Sequence, residues 1–299
     1  MKKIFLFICI IALNCSFAQT EGYAINKDLS KTYYKTFGSG TPMLIINGGP
    51  GMNSNGFETM AKKLATNNQT IIYDQRGTGK SPLKTLNSKT ITIKLMADDI
   101  ESLRKHLKIK KWIILGHSFG GMLASYYATV YPNSIDKLIL SSSGGIDLSL
   151  LNDPDLITSH LTKIEQDSLQ YWNDKIDKGD TSHTTRLGRG RALAPAYVYD
   201  RKFIPIIAER LTQGNMDINT LVWNDFRKIK FDCKDKLKSF KQPVLIIQGK
   251  QDVINEEIAQ TAHKAFTNSE VILLDNCKHY GWLDAEEKYF SAIATFLKL

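Results

Sequence analysis

The feature that most constrains this chain is an apolar run that ends in a Gly-x-Ser-x-Gly pattern. Residues 112–121 read WIILGHSFGG, and residues with helical spacing follow them. In this order a buried strand stops, the chain turns sharply into a helix, and Ser118 is left at the turn with its hydroxyl exposed. Gly116 and Gly120 lack a Cβ atom where the strand and the helix pass close together. The pattern predicts a nucleophilic serine at a helix N-terminus, where amide donors and the positive end of the helix dipole face a developing oxyanion.

Short apolar runs alternate with segments of helical spacing along most of the chain. A polar turn inside residues 22–37 predicts an antiparallel hairpin at a sheet edge. Helical spacing covers residues 54–67, 90–107 and 283–298. Buried strands are predicted at residues 43–47, 70–74, 112–116, 137–142, 243–249 and 270–275. This alternation predicts an α/β fold with a mostly parallel central sheet and helices on both faces.

The alternation stops between residues 147 and 232. This segment has no buried-strand run, and it is polar and helix-leaning with scattered aromatic residues. We expect it to form a helical cap over the C-terminal edge of the sheet, which is where ligands bind in open α/β sheets. The predicted organisation is therefore a core domain made of residues 19–146 and 233–299, with the cap inserted at 147–232.

The N-terminus has the features of a secretory leader. Two lysines precede an apolar run over residues 4–13, and Ser-Phe-Ala at 16–18 matches a small-x-small cleavage site. The run is too short to span a bilayer comfortably, because a spanning helix needs about 20 apolar residues. We expect residues 1–18 to be a signal peptide and the mature protein to be exported, periplasmic or secreted. A lipid anchor at Cys15 is the less favoured alternative, since Asn14 stands where such signals have a small residue, and an uncleaved anchor is less favoured still.

The charge of the chain is basic but dispersed. The formal net charge is +9, and loss of the two leader lysines would lower it by 2, to +7. No stripe of basic residues interleaved with aromatic ones stands out, so we expect a solvated basic surface and no nucleic-acid binding.

Two of the four cysteines fall in the leader, which leaves Cys233 and Cys277. In an exported protein these two could pair, or they could remain as two buried free thiols. No Cys/His spacing suggests a metal site, and we expect no cofactor.

Two later loops provide partners for a nucleophilic serine. A serine needs a base to take its proton, and the base needs an acid to orient it. In this architecture the order along the chain is Ser, acid, His, with each residue on a loop after a strand. Asp252 follows strand 243–249 and His279 follows strand 270–275, so we expect both to converge on Ser118. His117 is expected to point away across the turn. The rivals for the acid are Asp275 and Asp225.

An acyl-transfer site also needs preorganised donors for the oxyanion. The backbone N–H of Phe119, the residue after the serine, is one candidate. The second candidate is the N–H of Gly49, in the loop after strand 43–47, because a glycine lets the backbone approach the substrate closely.

The motifs that carry a family resemblance are NGGPG at 47–51, DQRGTGKS at 74–81, GHSFGG at 116–121, Asp252 and His279. Together they resemble the α/β-hydrolases, and most closely the proline iminopeptidase (prolyl aminopeptidase) group of serine peptidases. The resemblance covers the core well and the cap poorly. It implies that the second glycine of the GGPG loop and the residue after the nucleophile form the oxyanion hole. It also implies that the 74–81 loop supports the site and that cap carboxylates hold the free α-amino group of the substrate.

The chain departs from that family at three places. Asn47 stands where a histidine is usual, and Lys278 stands where a glycine is common. Asp225, followed by an aromatic residue, stands where the family often has a glutamate, and Glu209 is a second candidate for the amine anchor. A carboxylate is needed there because an unpaired ammonium is costly to bury.

We therefore expect a serine hydrolase that acts on small substrates. The leading hypothesis is an aminopeptidase that releases an N-terminal proline or small apolar residue from short peptides. The alternative is a carboxylesterase or lactonase that uses the same three residues on a small apolar ester. A non-catalytic binding protein on this scaffold is disfavoured, since it predicts a missing catalytic residue and none is missing.

Overall fold

Eight β-strands form one sheet within residues 19–298, the part of the chain that the computed structural model describes. The predicted leader, residues 1–18, lies outside this part. The strands are β1 (Thr20–Ile25), β2 (Lys31–Phe37), β3 (Thr41–Ile46), β4 (Asn68–Tyr73), β5 (Trp112–His117), β6 (Ile135–Ser141), β7 (Val244–Gly249) and β8 (Ser269–Leu274).

The strand order across the sheet is β1-β2-β4-β3-β5-β6-β7-β8. β1 pairs with β2 and β2 pairs with β4 in antiparallel fashion, while every other pairing is parallel. The predicted edge hairpin and the mostly parallel sheet are both confirmed. The carboxyl ends of the parallel strands therefore meet at one edge, where loops after β3, β5, β7 and β8 can come together.

Both faces of the sheet are buried, which explains the continuous apolar runs of the central strands. Every residue of β5 is buried. Successive side chains of a strand point to opposite faces, so Leu44 and Ile46 belong to one hydrophobic cluster, and Met43 and Ile45 belong to the other. Helices cover each cluster, as expected for a parallel sheet.

Helices connect the strands and cover the sheet. Their bounds are α1 (Glu58–Leu64), α2 (Ile93–His106), α3 (Phe119–Val130), α4 (Lys163–Asp177), α5 (His183–Tyr197), α6 (Ile204–Leu211), α7 (Met216–Lys228), α8 (Lys234–Leu237), α9 (Glu256–Ala265), α10 (Gly281–Asp284) and α11 (Glu286–Lys298). Among residues 19–298, none of them has the length and apolar character needed to cross a membrane.

Two predicted helices are shorter or more divided than their apolar spacing indicated. The pattern at 54–67 becomes the seven-residue α1, because Gly56 has φ +94° and lies outside helical geometry. The predicted closing helix divides into α10 and α11 at Ala285, whose φ of −133° and ψ of 49° interrupt the helix. Periodicity alone does not report such backbone breaks.

The segment between β6 and β7 is helical, with α4 to α8 and no strand along it. It rests on the C-terminal edge of the sheet. Asn215 N donates to Gly51 O at 3.1 Å, after β3, and His279 N donates to Tyr197 O at 3.0 Å, after β8. These bonds place the segment against two of the loops that carry candidate site residues.

Candidate active site

Ser118 lies at the junction of β5 and α3, as the N-cap residue of that helix. Its φ of 55° and ψ of −122° are unusual for a residue with a side chain. A Cβ on Gly120 would lie 2.1 Å from Ile46 O, so glycine is needed where the helix begins against β3. Backbone bonds on both sides hold the turn: Ser118 N donates to Ser141 O at 3.0 Å, and Ser118 O accepts from Gly121 N at 2.9 Å. The surroundings thus maintain a strained backbone at Ser118.

His279 and Asp252 form a buried pair. His279 Nδ1 lies 2.8 Å from Asp252 Oδ1, and the two residues are 4% and 5% exposed. Since the carboxylate accepts at Nδ1, that nitrogen carries the hydrogen and Nε2 is left as the basic atom of the neutral ring.

Asp252 is itself held by its surroundings. Gln248 Nε2 donates to Asp252 Oδ2 at 2.9 Å, and Ile254 N donates to Oδ1 at 3.1 Å. The end of β7 approaches the loop after β8 so closely that a Cβ on Gly249 would lie 2.2 Å from Lys278 O. This close approach brings the two loops, and hence Asp252 and His279, together.

His117 is placed differently from the sequence-based expectation. Its ring does not point away from the site but packs beside the ring of His279, with a centroid distance of 4.7 Å. His117 Nδ1 donates to Ser141 O at 3.1 Å. Burial, and then the charge of His279, hold the pKa of His117 well below its usual range. The side chain is therefore a neutral imidazole against the candidate base.

The structure brings the candidate residues to one edge of the sheet without completing every contact. Among residues 19–298, Ser118 Oγ has no hydrogen-bond partner, so its bond to His279 Nε2 is not formed. Such bonds are often long in a free enzyme and shorten only when substrate binds.

Two backbone donors flank Ser118. A Cβ on Gly48 would lie 2.7 Å from Ser118 Cβ, so the loop after β3 runs directly beside the serine. Gly49 has φ +75°, a conformation that glycine adopts without strain. Neither Gly49 N nor Phe119 N donates a hydrogen bond within the described part of the chain. Both N–H groups are therefore free to bind an oxyanion.

The 74–81 loop supports the loop after β3. Asp74 Oδ1 accepts from Ser54 N at 2.9 Å, and its Oδ2 accepts from Lys80 N at 2.8 Å. Gln75 Nε2 donates to Asn47 O at 2.9 Å. These bonds link two loops at the C-terminal edge of the sheet and fix the backbone that leads into Gly48 and Gly49.

A cavity of about 700 Å³ opens beside Gly49, between the core and the helical segment. Two carboxylates line it, those of Asp177 and Asp217. Sequence reasoning missed both, because each is a single acid in a polar stretch and nothing in its spacing distinguishes it. Two arginines, Arg186 and Arg189, also line it. The rest of the lining mixes polar residues with the apolar side chains of Met52, Ile176, Leu211 and Met216.

Asp225 and Glu209, the sequence-based candidates for the amine anchor, are engaged elsewhere. Asp225 Oδ2 accepts from Ile93 N at 2.8 Å, at the start of α2. Glu209 is exposed and pairs with His183 Nε2 at 2.9 Å. Neither of them lines the cavity beside Gly49.

The family model described as the alpha/beta hydrolase fold matches residues 41–286. The chain belongs to this family. A proline iminopeptidase of Clostridioides difficile (strain 630) is 28% identical to this hydrolase over 291 residues, which cover 93% of this chain and 98% of that protein.

Solved structures agree on the fold. An esterase from Exiguobacterium antarcticum superposes on the hydrolase with a TM-score of 0.71 at 20% identity, over 94% of this chain and all (100%) of that one. A proline iminopeptidase of Mycobacterium smegmatis gives a TM-score of 0.68 at 20% identity, over 93% of this chain and 98% of that one. The family and the relatives make this protein a hydrolytic enzyme.

The two remaining cysteines of the hydrolase do not form a disulfide. Cys233 and Cys277 are both free and buried, so the second of the two alternatives holds. Burial raises the pKa of the Cys233 thiol to about 12, and it also raises the pKa of Cys277. Both thiols are therefore protonated and unreactive in the folded enzyme. No cluster of three or more potential metal ligands occurs in residues 19–298.

Proposed function

We propose that this hydrolase is a serine aminopeptidase that releases an N-terminal proline or small apolar residue from short peptides. The observation that carries the proposal is the buried His279–Asp252 pair, 2.8 Å apart, at the sheet edge where Ser118 occupies a strained turn. The proline iminopeptidase relatives, which match this chain over nearly its whole length, favour this substrate class.

The mechanism follows from the protonation of the pair. Asp252 keeps the hydrogen on His279 Nδ1, so Nε2 takes the proton of Ser118 Oγ as the oxygen attacks the substrate carbonyl. The oxyanion that forms accepts hydrogen bonds from Gly49 N–H and Phe119 N–H. The His279 imidazolium, which the Asp252 carboxylate stabilises, then protonates the leaving amine. Water, deprotonated by the same nitrogen, hydrolyses the acyl-enzyme.

The free α-amino group of the substrate needs a carboxylate to pair with its positive charge. Asp177 and Asp217 line the cavity beside Gly49, so we propose one of them as the anchor. Asp225 would first have to leave the N-terminus of α2, and Glu209 would have to leave His183. The cavity carboxylates require no such exchange.

The second candidate is an esterase or lactonase that uses the same residues. The apolar side chains lining the cavity suit a small ester, and the Exiguobacterium esterase shares the fold. The two candidates differ in whether a free amine on the substrate is needed.

A substrate panel with two variants tests both candidates. Prolyl and alanyl p-nitroanilides, their N-acetylated forms and p-nitrophenyl esters are compared in wild type, Ser118→Ala and Ser125→Ala. Ser125→Ala is the control, because Ser125 lies on the same helix but its hydroxyl donates to Gly121 O and not to a candidate catalytic residue. We expect Ser118→Ala to lower turnover at least about 10³-fold and N-acetylation to abolish it. Equal turnover of free and N-acetylated anilides would exclude the aminopeptidase, and full activity of Ser118→Ala would exclude the serine mechanism.

A further inference from the structure

A buried arginine reaches from the helical segment into the core at the site. Arg210, in α6, is only 4% exposed, yet its hydrogen bonds within residues 19–298 go to backbone carbonyls and not to a carboxylate. One nitrogen donates to Asn55 O at 2.6 Å, and another donates to Gly48 O at 3.0 Å. Its guanidinium carbon lies 4.7 Å from the ring centroid of Phe57. A buried charge without an ionic partner is costly, so a compensating role is expected.

The carbonyl that Arg210 holds belongs to the same peptide unit as the Gly49 N–H. A trans peptide is planar, so its C=O and N–H point in opposite directions and turn together. Both flanking residues are glycines, which leave this peptide unusually free to rotate. Asn47 Nδ2 donates to the same oxygen at 3.1 Å. Two donors on Gly48 O therefore fix the direction in which the Gly49 N–H points.

We propose that Arg210 is a positioning residue that aims the Gly49 N–H at the oxyanion. The inference rests on the proposed serine mechanism. A hydrogen bond from a charged donor is stronger than a neutral one, and it polarises the peptide, which strengthens the N–H at the other end. The helical segment thus contributes to the rate of the chemical step as well as to substrate choice, because α6 carries part of the oxyanion support.

A purely structural role makes a different prediction. If Arg210 only joined α6 to the core through Asn55 O, its loss would lower stability or weaken substrate binding and leave the transition state unaffected. An oriented donor is used most in the transition state, so its loss lowers kcat and leaves KM nearly unchanged.

The test compares Arg210→Met and Arg210→Lys with Arg191→Met, which removes an exposed arginine of α5. We expect Arg210→Met to lower kcat about 10- to 100-fold, less than the 10²–10³ for a deleted donor, with KM within about threefold. Arg210→Lys should recover part of the rate, since an ammonium can reach one carbonyl. A peptide boronic acid, which forms a tetrahedral adduct on the serine, should lose affinity in proportion to kcat/KM, whereas free proline should not.

Several outcomes would overturn the inference. These are an unchanged kcat in Arg210→Met, a rise in KM alone, or an equal loss in Arg191→Met. Thermal unfolding checks that each variant is folded. If Arg210→Met does not fold, the test rests on Arg210→Lys. Wild-type boronate affinity and wild-type kcat in Arg210→Lys would then overturn the inference. Absence of wild-type turnover would remove the serine mechanism and the inference with it, whereas an active wild type with an unimpaired Arg210→Met removes the inference alone.

Discussion

At the residue scale, the contact between the imidazole rings of His117 and His279 is the feature that sequence reasoning did not find. The positions of Ser118, Asp252 and His279 follow from a rule about strand ends, and the structure places all three at that edge. The side-chain directions of His117 and Arg210 depend on packing against residues distant in the chain, so no local pattern reports them. His117 adds a neutral ring beside His279, where a second positive charge would oppose formation of the imidazolium.

Replacing His117 should change how stability depends on pH. Its pKa is well below normal in the folded protein and about 6.5 in the unfolded chain. The unfolded state therefore binds a proton first as the pH falls, so this residue's contribution to stability is complete above pH 6.5 and is lost below it. The free energy of unfolding, measured with urea at several pH values between 7.5 and 5.5, should fall less steeply with decreasing pH in His117→Asn than in wild type. The difference in slope should reach up to about 1.4 kcal/mol per pH unit. Identical slopes in the two proteins would contradict a neutral buried His117.

At the element scale, α7 caps α2. Thr92 is the N-cap residue of α2 and accepts from Leu95 N, while Asp225 accepts from Ile93 N. A carboxylate at a helix N-terminus also interacts favourably with the helix dipole. The spacing of α2 predicted the helix, but a cap supplied by a residue 132 positions away has no signature in the local sequence.

Removal of that cap separates the two roles considered for Asp225. We expect Asp225→Ala to lower the free energy of unfolding by about 0.5–2 kcal/mol, with kcat/KM within about threefold of wild type. Asp217→Asn, at the cavity, should instead raise KM for free-amine substrates and lower the free energy of unfolding by only about 0.3–1 kcal/mol, because Asp217 lies in the first turn of α7. Urea unfolding and anilide kinetics measure both. A large KM increase in Asp225→Ala at unchanged stability would return Asp225 to the role of amine anchor.

At the scale of the whole molecule, one carboxylate joins the helical segment to the loop that carries His279. Asp284 accepts from Tyr199 N at 2.8 Å, Asp200 N at 3.1 Å and Lys278 N at 3.0 Å. Lys278 Nζ also donates to Pro195 O at 2.6 Å. Lys278, a departure from the resembling family, thus has a role in holding α5 against the core.

Loss of this junction should affect stability and catalysis together. Asp284→Ala leaves three backbone N–H groups without their acceptor, and we expect the free energy of unfolding to fall by about 1–3 kcal/mol. We also expect kcat to fall, because His279 is no longer held in place. Asp275→Ala is the control, since Asp275 is an exposed partner of Lys250. Urea unfolding and kinetics of both variants test the prediction, and a stable, fully active Asp284→Ala would contradict it.

The sheet could be predicted from the sequence far better than the segment above it. Buried parallel strands leave runs such as residues 112–117 that are apolar at nearly every position, and glycine turns mark their ends. The helices between β6 and β7 pack through contacts between side chains and carbonyl groups that are far apart in the sequence. For example, a Cβ on Gly190 would lie 2.4 Å from Ala208 O. Such contacts decide which carboxylates line the cavity, and therefore the choice of amine anchor could not be predicted.

The pairing of β6 with β7 has a consequence for how this protein folds and how it can be altered. The two strands are neighbours in the sheet, although residues 142–243 lie between them. The entropy of closing a flexible loop rises only with the logarithm of its length, so a twofold change in this separation alters the closure entropy itself by only about 0.6 kcal/mol. The long separation instead slows folding, because this contact is non-local. A segment grafted between Ser141 and Val244 must therefore reproduce the contacts that the present one makes with the core, such as Asp225 at the start of α2 and Tyr197 O at the loop of His279.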